Sequence, residues 1–449
     1  MEGIAKKPRI FKFKKDVAFC LKMGLFLALV FAHHILGYSL PVSIFLLLGG
    51  AIALTGDRDE ILTLGVCCIP LLTVFQYKYL LLFCIVIYYV KYPEDIKLNR
   101  YVLPLLILMI WELMHAMKYN FSLNEFLRNF SELIFCTFLM LNTYKQVNTE
   151  KLYRMFAICT IAMAMFVLIK QLEAVNYHFE LVFQAGYRLG ATEGSAENFG
   201  LGFNANALGY ISNLSIAGLL QLFTLKKQRT IDYLMIFALL FIGTMTMSRA
   251  FLVCLTVLFF MFIWARSKGT IGKIRSLTSV IIILLFAYYV IQFLAPFVIE
   301  NFMMRFEEQD ISNGRSGLFL AYNKHIFSTA ENAFFGLGVQ HLGAKLRDLY
   351  GITKFAGNVL HNGTQEVVVA WGLPGLAMFI YFLGEMIHSA KQHKKTKKHS
   401  FQNYIPLLLA VLYVQFGQLV TSGIALLSLS FAYMALCTDF GGGEENENL

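Results

Sequence analysis

Charge is what this sequence has least of: of 449 residues, 15% are Asp, Glu, Lys or Arg against 57% hydrophobic, and mean hydropathy is +0.61. A soluble domain needs roughly a quarter charged residues to wet its surface, so an ordinary water-soluble globule is excluded. Long stretches of alternating polarity are lacking too, and the apolar runs are unbroken. In hydrocarbon every backbone polar group must bond within the protein, which leaves helices for such runs and excludes a barrel. Cysteine is sparse and scattered: Cys20, Cys67, Cys68, Cys84, Cys136, Cys159, Cys254 and Cys437 lie in or beside apolar runs. None forms a C-x-x-C pair or has a histidine at ligand spacing, so neither disulfides nor zinc are expected. No internal repeat is found. No small-residue cleavage site follows the basic start MEGIAKKPRIFKFKK, which therefore reads as a cytoplasmic lead into the first span.

What is present is a series of apolar runs, at 16–36, 39–55, 60–75, 77–91, 101–117, 127–142, 151–171, 205–224, 231–248, 249–266, 275–296, 366–388, 404–420 and 422–437. The expected fold is an all-α polytopic membrane protein with about 12–14 transmembrane helices. The formal charge of +10 comes from Lys/Arg clusters between runs and not from one basic face, so it speaks for topology and against a nucleic-acid partner. With the N-terminus inside, alternation puts the clusters at 91–100, 145–151, 226–229, 266–275 and 391–398 in the cytoplasm, as the positive-inside rule requires. The organisation expected is N-terminal spans over 1–296, with an external loop at about 172–204, and a large helical extracytoplasmic loop over 297–365. C-terminal spans over 366–438 and a flexible cytoplasmic tail over 439–449 follow.

Polar residues concentrate in the external segments. His361-Asn362 closes the larger loop just before an apolar helix that contains Gly372, Pro374 and Gly375. A histidine there is more often an interfacial or capping residue than a catalyst, and only its company changes that reading. The company is Arg305, Arg315 in SNGRSG, and the glycine corner FFGLGV, with Arg188 in the other external loop and Arg249 between two short spans. Any one of these arginines could snorkel or pair with a carboxylate. Several on one side of a membrane suit an anion, because guanidinium is permanently charged and binds phosphate bidentately. Glu112 and His115, one turn apart in a span, allow either a proton relay or an interfacial hydrogen-bonded pair. Asp57-Arg58-Asp59 has the D-x-D form of a metal-binding glycosyltransferase motif but falls on the expected cytoplasmic side. His33-His34 is expected in the headgroup zone.

The succession SRAFLVCLTVLFF, RF, GRSGLFLAYNKHIF, FFGLGVQ and HNGTQEVVVAWGLPGL resembles the signature region of the O-antigen ligase and polysaccharide polymerase superfamily of bacterial envelopes. GFNANALGY after Arg188 is similar to that family's Asn-rich approach to a membrane helix, with Ala205 where many members have proline. The resemblance covers residues 188–376. It implies a GT-C-like fold and an inverting, metal-independent glycosyltransferase. Its substrates would be undecaprenyl-diphosphate-linked oligosaccharides, at the outer face of the bacterial cytoplasmic membrane. Carried onto this chain, His361 and Arg315 would be catalytic, and Arg188, Arg249 and Arg305 would hold the diphosphate. Asn362, Asn204 and Asn206 would position substrate, with no metal and no cofactor. The first reading is a polymerase joining repeat units into a capsule, exopolysaccharide or O-antigen, in company with a flippase and a chain-length regulator. A ligase moving the finished glycan to another acceptor is the alternative within the class. A lipid-linked oligosaccharide transporter is the rival outside it, and the missing repeats speak against that.

Overall fold

The computed structural model describes residues 9–71, 77–95, 102–118, 123–141, 148–178, 188–190, 205–267, 269–294, 296, 299–300, 303, 315–339, 362–392, 401–417 and 423–438. Among them every element is a helix: α1 Arg9–His34, α2 Val42–Thr55, α3 Arg58–Leu71, α4 Tyr77–Lys91, α5 Leu103–Lys118, α6 Leu123–Leu141, α7 Thr149–Ala174, α8 Ala205–Thr224, α9 Thr230–Met245, α10 Arg249–Arg266, α11 Gly269–Leu294, α12 Arg315–Ile326, α13 Ala330–Phe335, α14 Gly363–Gln392, α15 Ile405–Val414 and α16 Gly423–Leu436. Each apolar run of the sequence contains a helix among the described residues. Among the described residues five helices are long and apolar enough to cross a membrane, namely 17–34, Thr149–Ala174, Ala205–Thr224, Arg249–Arg266 and Gly363–Gln392. The run at 404–420 is helical only to Val414, and the expected helix at 366–388 starts earlier, at Gly363.

The centre of the bundle is α8, buried along nearly its whole length among α7, α9, α10 and α15. Small residues allow this approach, as they must where lipid supplies no hydrophobic drive between helices. A Cβ on Gly243 of α9 would lie 2.1 Å from the Phe251 ring of α10, so only glycine lets the two helices close. Outward, α11 shows Ile282, Phe286, Tyr289 and Phe293 at 60–87% exposure, an apolar face of the kind a bilayer covers.

The helix ends sort into two sets. At one, here the basic end, Arg154 of α7 grips Asp232 of α9 through two bonds (2.8 and 2.9 Å) and also bonds Glu150 and the Lys227 carbonyl. Nearby, Lys151 pairs with Glu60 and Arg58 with Asp95, while Lys91 bonds the Leu54 and Gly56 carbonyls. The basic connections 91–95, 148–151 and 226–229 therefore meet at one end of the bundle. The residues around Arg188, the α9–α10 turn, α12, α13 and the start of α14 lie at the other, the loop end. The tail 439–449 is outside the described residues.

Candidate functional site

The cluster around Arg188 begins with the break between α9 and α10. Met247 adopts φ +45°, which turns the chain, and the Ser248 hydroxyl accepts the Phe251 N–H to cap α10. That turn leaves the Thr246 carbonyl pointing at Arg188, whose Nε donates to it at 2.9 Å. An Nη of Arg188 donates to Asn206 Oδ1 at 2.9 Å, and the Ser248 hydroxyl donates to the same oxygen at 2.8 Å. The backbone is held as firmly, since Gln171 Nε2 donates to the Arg188 carbonyl at 2.6 Å and Leu189 N–H to the Met245 carbonyl at 3.0 Å. Arg188 is thus fixed by α7, α8 and the α9–α10 turn, and Arg249, half-buried, follows Ser248 directly. Asn204 lies outside the described residues. Ala205 is the first residue of α8, a position where proline is also at home, so its difference from the family pattern does not disturb the helix.

The second cluster forms where α14 begins. Asn362 caps the helix: its Oδ1 accepts Gln365 N–H at 2.9 Å and its carbonyl accepts Glu366 N–H at 2.9 Å. Asn362 Nδ2 reaches Gln415 past the end of α15 at 3.5 Å, and Gln415 donates back to Thr364 at 3.0 Å. Gln365 Nε2 donates to the Phe319 carbonyl (2.7 Å) and to Asn323 Oδ1 (2.8 Å), which docks α12 on the first turn of α14. Arg315 opens α12, one turn before Phe319. His361 and Arg305 lie outside the described residues; His361 immediately precedes the capping Asn362. Burial, with the Glu366 carboxylate close by, raises the pKa of Tyr322, and burial lowers that of His325 on the same helix.

Two tyrosines connect the clusters. Tyr210, one turn after Asn206, stacks on Tyr413 of α15 with ring centres 3.8 Å apart and planes within 5°, and its hydroxyl bonds Ser428. Gln415, two residues beyond Tyr413, is the partner of Asn362 and Thr364. Three contacts, Arg188 with Asn206, Tyr210 with Tyr413 and Gln415 with Asn362, thus lie on neighbouring positions of α8 and the end of α15 at the loop end.

Glu112 and His115 prove to be anchors for the glycine corner. Gly372 interrupts α14 at φ +72°, ψ −176°, and Pro374 has no N–H, so the Val369 and Ala370 carbonyls lose their helical partners. Leu337 and Gly338 supply replacements, donating to Val369 and Ala370 at 2.8 and 2.7 Å. Approach is close enough that a Cβ on Gly336 would meet the Ala370 carbonyl at 2.6 Å. The Glu112 carboxylate accepts Val339 N–H (3.1 Å) and Trp371 Nε1–H (2.8 Å), and His115 Nε2 donates to the Phe335 carbonyl at 2.7 Å. Both side chains thus hold the corner and α14 through hydrogen bonds to other residues, a tether that neither a relay nor an interfacial pair describes.

Asp57 and Arg58 are likewise accounted for locally. Asp57 and Glu60 form a reciprocal capping box at the start of α3, with Glu60 N–H to Asp57 Oδ1 at 3.0 Å and Asp57 N–H to Glu60 Oε2 at 3.1 Å, and Arg58 pairs with Asp95. Among the described residues no three His, Cys, Asp or Glu side chains gather to hold a metal ion. His33 sits at the end of α1, where its Nδ1 accepts the Leu40 N–H and closes the turn to α2.

Several contributors escape sequence reading. Gln171, Ser248, Gln365, Gln415 and the Tyr210–Tyr413 stack hold the two clusters, and only Ser248, a serine before an apolar run, carries a local signal, that of a helix cap. No protein-family model matches the chain, and no curated protein matches it significantly.

Proposed function

We propose that this chain is a membrane-embedded glycosyltransferase that uses a polyprenyl diphosphate as leaving group. Within that class, we read it as a polymerase joining undecaprenyl-diphosphate-linked oligosaccharide repeat units into a surface polysaccharide. It would work at the outer face of the bacterial cytoplasmic membrane, with both termini inside. The observation that carries the reading is the gathering of Arg188, Arg249 and Asn206 at the same end of the bundle as the capped start of α14, which His361 precedes, and α12, which Arg315 opens.

The chemistry needs two things at that end. The acceptor hydroxyl attacks C1 of the donor sugar while the C1–O bond to the diphosphate breaks, so inversion results and negative charge grows on the leaving group. Fixed guanidinium groups aimed at that charge stabilise the transition state, each such donor typically worth ~10²–10³ in rate. Arg188 is immobilised by protein carbonyls before substrate arrives, which suits this role. His361 takes the acceptor proton, a contribution of ~10²–10⁴ for general base catalysis. Asn362, Asn204 and Asn206 position the sugars and Arg305 adds to the diphosphate cradle. A flippase and a chain-length regulator of the same pathway are the expected partners.

The test supplies purified protein in nanodiscs with one undecaprenyl-diphosphate repeat unit. A ladder of products from this donor alone is expected, lost in His361→Ala and Arg315→Ala while both variants remain folded. Product formation only after a second acceptor is added would make the chain a ligase instead. Flux of unaltered donor across a liposome membrane with no covalent product would make it a transporter. Full-length polymer from both variants would remove the mechanism.

A further inference from the structure

Far from the proposed reaction centre, Phe260, Ile263, Trp264, Lys273 and Leu277 line a shallow, open cleft between α10 and α11 at the basic end. Its composition is divided. Lys273 Nζ stands 4.2 Å above the centre of the Trp264 ring, and Arg266 lies over Phe262 at the end of α10. Phe260 and Leu277 continue the cleft toward the bundle's middle as exposed apolar walls, and beyond them α11 shows Ile281 and Leu285.

We propose that this cleft binds an anionic phospholipid, its phosphate against the Lys273 ammonium and its first methylenes along Phe260, Ile263 and Leu277. Charge complementarity selects this occupant. The fixed groups at the mouth are cationic and aromatic, the walls are apolar, and the site lies on the side where basic loops collect, the arrangement that holds anionic headgroups between membrane helices. A zwitterionic headgroup would bring its ammonium against Lys273 and is disfavoured. The proposal rests on the chain spanning a membrane and not on glycosyl transfer.

The test incubates lipid-stripped full-length protein with equal amounts of phosphatidylglycerol and phosphatidylcholine of matched chains and counts bound lipids by native mass spectrometry. The wild type is expected to retain phosphatidylglycerol selectively, and Lys273→Ala to lose about fivefold of that retention, the effect of one cation near a membrane surface. Lys273→Arg should retain it. Should Lys273→Ala not fold, Lys273→Met, which keeps the apolar stem, carries the same comparison. Equal retention of both lipids by the wild type, or unchanged phosphatidylglycerol in the charge-removing variant, overturns the proposal. So does full displacement of the lipid by inorganic phosphate alone, since the site would then read a free anion. No sugar donor is present, so this outcome and that of the transfer assay are independent.

Discussion

Replacing Glu112 distinguishes a tether from a proton relay. In Glu112→Ala, the Val339 N–H and the Trp371 Nε1–H lose their acceptor inside protein, where Glu112 is 1% and Trp371 0% exposed. Each orphaned donor costs ~1–3 kcal/mol, giving an upper figure of about 6 kcal/mol. Interhelical bonds measured in bilayers average only ~0.6 kcal/mol, which sets a lower figure of about 1 kcal/mol. An intermediate ~3 kcal/mol corresponds to roughly a hundredfold rise in undocking of the 335–339 corner from α14. Hydrogen exchange read at Leu337, Gly338 and Val339 should therefore lose about two decades of protection. Glu112→Gln keeps an acceptor oxygen for Trp371 and should lose one decade or less. The same order should hold for glycan chain growth, with Gln well above Ala. Unchanged protection in Glu112→Ala refutes the tether. Loss of chain growth in Glu112→Gln with protection intact would restore the relay, because glutamine cannot carry the proton.

The remaining predictions follow from other contacts. Arg188→Lys cannot serve both the Thr246 carbonyl and Asn206, so chain growth should fall ~10²-fold while Arg188→Ala abolishes it; wild-type rates in either would sever this cluster from the reaction. Asp232→Ala removes two charge-assisted bonds from Arg154, whose remaining carboxylate partner is Glu150, and should cost ~1.5–3 kcal/mol, while the pair Arg154→Met with Asp232→Leu should restore most of it; thermal melts in one detergent check both. His325 has its pKa lowered by burial, so the neutral form stabilises α12 fully above the unfolded value near 6.5, and that stability is lost as pH falls from there through the folded value. Proteolysis within 315–339 should accelerate on acidification in the wild type and stay flat in His325→Leu.

Residues differ in how much of their role the sequence reveals, and the difference is one of contact range. The apolar run 205–224 is α8 at both ends, because twenty apolar-rich residues preceded by an Asn-rich segment leave no alternative in hydrocarbon. Although the helix expected over 366–388 runs through Gly372 and Pro374 unbroken, the lost donor at Pro374 is legible, since proline has no N–H. What repairs the break is not: the N–H groups of Leu337 and Gly338 come from more than thirty residues upstream, and nothing local joins the FFGLGV corner to α14. Glu112 reads from sequence as a buried acid in want of a purpose, and its purpose lies in Val339 and Trp371, each over two hundred residues away. The six-residue α13 has no clear mark in the sequence, because its cap, the Thr329 hydroxyl accepting Asn332 N–H, resembles any loop.

The two clusters are supported in different ways, and the reaction should register the difference. Arg188 and Asn206 belong to the bundle, held by α7, α8 and the α9–α10 turn, so an anion site there is organised before substrate binds and costs no rearrangement in the transition state. Arg315 opens a helix that is docked on the bundle by Gln365 on Phe319 and Asn323, by the buried Tyr322 and Ile326, and by the corner on the α14 break. Weakening the docking while leaving the bundle intact should therefore lower kcat and spare affinity for a non-reacting polyprenyl diphosphate, because misplacing a reacting group by about 1 Å can cost ~10²-fold in rate without loss of binding. Cutting Arg188 from its carbonyls should lower both together. If Glu112→Ala weakened diphosphate binding as much as Arg188→Ala does, the anion site would have to extend onto the docked segment, and the division into a preset cradle and a docked catalytic arm would be wrong.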